Sequence, residues 1–421
     1  MKRLNMTAAA VLAASMTGLV GCDDLLNVEN PSRIPAEIIE APENAALLVR
    51  SAVADFECAF GGYVVMGGIV GDELIEVTQT ADRWPYDARR MQSNDLRYGT
   101  SGCTANGIYT PLQTARASAE RIVALLEGWT DAEVPNRTRL KATAEAHAGY
   151  ALELLGEGFC TMAVSRINVD RTITYGGVIS RDSVLRLAEG RFTDAIAGAQ
   201  ASGTTDILKM ALVGRARASL NRRRYPEARA DAIQVDTLFV KNMTASGSSG
   251  RRENRVWSNN SSVSAATSVG NLYRTMNDPR VSVDSVRSSV WPGVQFYRQN
   301  KYPSNSSPIR IASGHEAALI VAEVEIAAGN LTAADSIINI YRARGGQLAI
   351  TSPDSATAVG YLIDQRRREL FLEGQHLGDY IRFDLPLSPP KDSTYHAGGA
   401  YGEQRCFPLP DVERNNNPNV P

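Results

Sequence analysis

The chain has 421 residues with 44 Lys and Arg against 46 Asp and Glu, a formal net charge of −2, and its arginines are dispersed, which excludes the electrostatic footprint of a nucleic-acid binder. Hydrophobic residues at 43% and charged residues at 21% are ordinary for a globular protein and exclude a disordered or collagen-like chain.

The first segment, MKRLNMTAAAVLAASMTGLVGC, reads as a bacterial lipoprotein signal. Lys2 and Arg3 form a positive n-region, Ala8 to Val20 an apolar h-region, and Leu19-Val20-Gly21 places small residues before Cys22. Residues 1–21 are then expected to be removed, and Cys22 to carry a diacylglycerol and an amide-linked acyl chain such as palmitate. At about 0.8 kcal/mol per buried CH₂, more than one chain makes a stable membrane anchor. Residues 22–40 follow as a polar tether with a turn at Asn30-Pro31. No later stretch is expected to be long and apolar enough to cross a bilayer.

Residues 41–421 read as one largely helical domain. Apolar periodicity predicts helices over Ala45 to Phe56, Leu112 to Leu126, Arg139 to Leu155, Arg181 to Ala201, Asp206 to Asn221 and Pro226 to Val235, then over His315 to Ala328, Thr332 to Arg344 and Ala358 to Leu377. Two of these pairs repeat. Ala216, Tyr225, Ala228 and Ala232 have the spacing of the small and aromatic positions of a tetratricopeptide repeat, and Ala322, Leu331, Ala334 and Ile338 fall at the same offsets. Alanines at a helix crossing allow close approach, so stacked pairs bury a continuous core. The fold class expected is mainly α, a tetratricopeptide-like superhelix of helix pairs with long irregular loops. Between the pairs, residues 241–308 form a loop-rich insertion full of Ser, Asn and Gly, a length that is usually functional.

The last helix carries the densest charge. In IDQRRRELFLEGQHLGDYIRFD, Arg366, Glu369 and Glu373 are expected as a structural ladder at i+3 and i+4. Glu369 and Glu373 could also be set as the carboxylate pair of a retaining glycosidase, but residues on one helix face project the same way and cannot flank a sugar from opposite sides. The remaining cysteines, Cys58, Cys103, Cys160 and Cys406, are an even set in an exported chain and allow three connectivities. Cys58 with Cys103 and Cys160 with Cys406 is the expected pairing; free buried thiols are the alternative. His147, His315, His376 and His396 are scattered, and there is no H-E-x-x-H, P-loop or G-x-S-x-G motif. No metal, cofactor or enzymatic activity is expected.

The arginine-rich block resembles the C-terminal signature of the SusD/RagB family of outer-membrane nutrient-binding lipoproteins, where a run like ERRRELAFEGHRWFDLRR leads to the end of the chain. The tail from Phe407-Pro408-Leu409-Pro410 through Glu413 to Asn417-Pro418-Asn419 is similar to that family's PIP, E and NPN ending. Ala144 to Cys160 also resembles a family helix, with Gly149-Tyr150 where bulkier residues are usual. The resemblance implies a protein held on the outer membrane, at the cell surface, that binds a nutrient such as an oligosaccharide and passes it to a SusC-type TonB-dependent transporter. The alternative is a lipid-anchored scaffold whose repeats bind a peptide or protein.

Two segments mix flat aromatics with amide, guanidinium and carboxylate groups, the combination that holds sugars. Asp72 to Arg97 offers Asp72, Arg83, Trp84, Tyr86 and Asn94; Tyr273 to Tyr302 offers Tyr273, Arg274, Trp291, Tyr297 and Arg298. The resemblance implies ligand contacts from these two regions. Trp84 and Trp291 stand out because polar or Pro/Gly-rich sequence surrounds them.

Overall fold

The computed structural model describes residues 36–103, 106–288, 291 and 293–421. The leader, Cys22 and most of the tether lie outside the described residues. The periodic segments fold as α1 (Ala45–Val70), α2 (Tyr109–Gly128), α3 (Arg137–Gly158), α4 (Arg181–Ala201), α5 (Thr205–Asn221), α6 (Tyr225–Ala232), α7 (Gly314–Ala327), α8 (Leu331–Arg344), α9 (Ser355–Glu369) and α10 (His376–Arg382). Neighbours in sequence pack as neighbours in space: α3 on α2 and α4, α4 on α5, α5 on α6, α6 on α7, and α7 on α8 and α9. The result is a mainly α, solenoid-like stack of helix pairs with long loops.

The small residues explain how closely the stack packs. Ala216, Ala228, Ala232, Ala322 and Ala334 are all buried at the crossings. A Cβ on Gly149 would lie 2.7 Å from the Phe192 ring, and one on Gly214 2.3 Å from it. These glycines of α3 and α5 therefore make the seat for the aromatic ring of α4, which Tyr150 closes edge-on at 5.0 Å.

Three expectations need correction. First, α1 does not stop at Phe56 but continues through GGYVVMGGIV to Val70. The run Pro42–Val70, 29 residues, is by length and composition able to cross a membrane, yet 83% of its most apolar window is buried inside the protein. It is the core helix. Second, the C-terminal block is not one helix. Helix α9 ends at Glu369, Leu372 and Gly374 take left-handed φ of 55° and 81°, and α10 starts at His376. Left-handed residues cannot continue a right-handed helix.

The break dissolves the expected ladder, the third correction. Arg366 pairs with Asp379 across it at 2.7 Å. Glu369 meets Arg280 at 3.2 Å and Arg310 and Arg344 at 3.4 Å, while Glu373 accepts from Lys301 and from Arg310 Nε. Each carboxylate is thus buried and bound to cations from distant segments.

Residues 241–308 hold short elements tied by side-chain amides. Asn254 Nδ2 donates to Ser307 O at 2.8 Å, Asn260 Nδ2 to Thr267 O at 2.8 Å, and Gln299 N to Asn260 Oδ1 at 2.7 Å. These buried bonds satisfy a backbone that no long helix or sheet serves. Cys58 is bonded to Cys103 and Cys160 to Cys406. The second bridge fixes the tail beside α3, where Cys160 N donates to Phe407 O at 3.0 Å and Phe407 N to Gly158 O at 2.9 Å.

Candidate ligand-binding cleft

Where α1 ends, the chain turns through Asp72, with φ of 65°, into the strand Leu74–Glu76, which pairs antiparallel with Thr267–Val269 of the insertion. That pairing brings both aromatic-rich segments to one place. The Thr78 carbonyl then accepts from two indoles, Trp84 Nε1 at 3.3 Å and Trp291 Nε1 at 2.9 Å. Their rings sit 5.8 Å apart at 66°. Both are half-buried, and Trp291 faces His396 at 5.6 Å.

His396 belongs to a third wall, residues 388–402. Beside the indoles this wall and the two earlier segments enclose a cleft of about 220 Å³, lined among others by Asp72, Arg274, Ser388, Thr394, His396 and Tyr401. Arg89, only 1% exposed, ties the walls together. It donates to Asp72 Oδ1 at 2.8 Å, to Ser388 O at 3.2 Å and to Pro389 O, and its guanidinium lies 4.9 Å from the Tyr401 ring.

Buried carboxyl groups underlie this cleft. Burial pushes Asp87 up to about 8 even though Glu76 N and Tyr395 OH donate to it. Asp72 is raised by the same cause to about 7, opposed by Arg89. Burial lowers His396, keeping its ring neutral at pH 7.

The candidate residues divide by position. Trp84 and Trp291 come together; Asp72 lines the cleft, but Arg89 and Ser388 N occupy its carboxylate. Arg83 cross-links the base, donating to Asn259 at 2.8 Å and lying 3.7 Å from Glu76. Half-buried Tyr297 carries the Arg274 guanidinium 4.9 Å from its ring centroid. Tyr86 and Tyr273 are buried: Tyr86 OH donates to Asp95, and Tyr273 stacks on Phe371 at 5.0 Å. Asn94 is exposed and Arg298 pairs with Asp284 at 3.1 Å; neither lines the cleft. Ser388, Thr394, His396 and Tyr401 escaped the sequence reading. Their only local signal is the run Tyr395-His396-Ala397-Gly398-Gly399-Ala400-Tyr401, aromatics around a glycine turn. Among the described residues no His, Cys, Asp and Glu cluster is suited to a metal ion.

Residues 295–420 match the SusD family model. No curated protein matches the sequence. The fold is similar to a SusD superfamily protein from Bacteroides vulgatus at 14% identity and TM-score 0.69, covering 90% of this chain and 98% of that one. It is similar also to a SusD-like carbohydrate binding protein from the same organism, at 13% identity and TM-score 0.66, covering 90% and 97%. A SusD superfamily protein from Parabacteroides distasonis aligns at 13% identity and TM-score 0.67, over 92% and 99%.

Proposed function

From the match of residues 295–420 to the SusD family model and the SusD-like fold, we propose that this chain is a member of the SusD/RagB superfamily, a lipid-anchored protein of the outer membrane that captures a nutrient, an oligosaccharide or other glycan, and hands it to a SusC-type TonB-dependent transporter. The observation that carries the glycan reading is the pair of indoles on the Thr78 carbonyl. Both rings stand beside the cleft, where Trp291 meets His396 of its wall. A sugar's C–H face is apolar and stacks on such rings, while its hydroxyls need the polar wall of Ser388, Thr394 and Asn271. Lipid attachment at Cys22 rests on the sequence and serves the same reading, since capture next to a transporter needs tethering rather than embedding.

Purified from solubilised outer membranes under mild detergent, the protein should bring with it a large β-barrel transporter, and calorimetry should show saturable binding of an oligosaccharide. Saturable binding of a peptide, with neither a barrel nor a sugar bound, would overturn the proposal in favour of the scaffold reading.

A further inference from the structure

Building on the glycan reading above, we infer that the sugar taken by this cleft carries an anionic group, a carboxylate or a sulfate, and that Arg274 binds it. The charge balance of the cleft wall is the basis. Its charged residues are Asp72 and Arg274. Asp72 is engaged by Arg89 at 2.8 Å and by Ser388 N at 3.2 Å, so its negative charge is neutralised from within the protein. Arg274 has no carboxylate partner among the described residues. Its guanidinium instead lies over the half-buried Tyr297 ring, which restrains the group while leaving its N–H edge for a ligand.

Among the described residues of the wall no other carboxylate stands open to repel an anion. Burial holds His396 neutral, and it keeps Asp87, beneath the cleft, protonated near pH 7. Glu76, also raised by burial, faces Arg83 at 3.7 Å. Of the neighbouring arginines, Arg89 is engaged by Asp72 and Arg83 by Asn259 and Glu76, while Arg90 donates to Gly398 O at 3.4 Å. Arg274, over Tyr297 and without a carboxylate partner among the described residues, therefore stands on the wall where the ligand would sit. A guanidinium fork matches the planar oxygens of a carboxylate and the oxygens of a sulfate, and charge-assisted bonds of this kind discriminate strongly against an analogue that lacks the charge.

The test is calorimetry on the purified full-length protein with three probes: an oligogalacturonide, its methyl ester, which keeps the ring and removes the charge, and a carrageenan oligosaccharide, which carries sulfate and no uronate. At least one anionic probe should bind tenfold or more tighter than the ester, and the probe preferred identifies carboxylate or sulfate as the group. Arg274→Gln should abolish that preference. Arg274→Lys, which keeps charge without the fork, should retain part of it, with both variants matching the parent by circular dichroism. Equal binding of ester and acid, or a preference that survives Arg274→Gln, overturns the inference. Binding of neutral sugars that depends on Trp291 without any acidic preference refutes the anionic group and leaves the glycan reading standing; failure of these probes and of a neutral oligosaccharide panel refutes both.

Discussion

Trp84 and Trp291 share one carbonyl, but they differ in what else they hold. Trp84 packs against the small apolar cluster of Ala88, Tyr395 and Tyr401, whereas Trp291 faces Trp84 and His396. Trp291→Ala should weaken glycan affinity at least tenfold, a loss of about 2 kcal/mol typical of a binding hot spot. Trp84→Ala should lose affinity and also lower the melting temperature. Calorimetry with thermal melts checks both, and unchanged affinity in both variants removes the indole platform. Glu369 shows the opposite kind of residue. At 2% exposure it faces Arg280, Arg310 and Arg344; Glu369→Ala leaves Arg344 without a carboxylate and Arg280 and Arg310 with one fewer, and should cost about 3–5 kcal/mol in urea unfolding. Unchanged stability with lost binding would move Glu369 from the core to the site.

Between elements, the Cys160–Cys406 bridge joins the end of α3 to the tail over a separation of 246 residues. The tail matters because Phe407 packs against Tyr86, Tyr98 and Phe159, beneath the loop that carries Trp84. Cys406→Ser is expected to destabilise by about 2–5 kcal/mol, and a reducing agent should lower the parent's melting temperature towards that of the variant. A parent insensitive to reduction would show that packing alone holds the tail. The break between α9 and α10 is likewise an element-level event. Gly374 lies beneath Val64 of α1, where a Cβ would stand 3.1 Å from the valine methyl, so the turn follows the surface of the core helix.

For the whole molecule, buried ionisable groups set the pH response. Glu73 and Asp87 are both pushed up to about 8 by burial, without an arginine hydrogen-bonded to either carboxyl; unfolded, such groups titrate near about 4. Between those values the folded state holds more protons than the unfolded one, so their stabilisation is complete below about pH 4 and lost as pH rises through about 8. Burial lowers His147 to about 4 and His376 to about 3. These histidines act in the opposite sense, withdrawing stability as pH falls below about 6.5. The melting temperature should accordingly fall from pH 7 to pH 9, and Glu73→Gln with Asp87→Asn should flatten that fall. A flat parent profile over this range would contradict the raised values. At the same scale, Cys22→Ala should abolish fatty-acid labelling and release the protein from membranes; label retained in the variant would refute the anchor.

How much was legible in the sequence follows the range of the interactions. The stacking of helix pairs is written in contiguous residues, alanines and aromatics at repeating offsets from Ala216 and Ala322, whereas the expected leader before Cys22 lies outside the described residues. A periodic face must bury itself against another such face, so local pattern alone sets that architecture. The indoles were legible as aromatics in polar surroundings. What the sequence could not separate was Trp84 from Tyr86, two positions apart, one half-buried against Trp291 and one in the core. The third wall was invisible because Arg89 reaches Ser388 and Pro389 across some 300 positions, and no local pattern records such a bond. Helix α9 looked continuous because its apolar spacing runs on past Glu369; only the packing of Gly374 against α1, and the distant cations that draw in Glu369 and Glu373, decided where it stops.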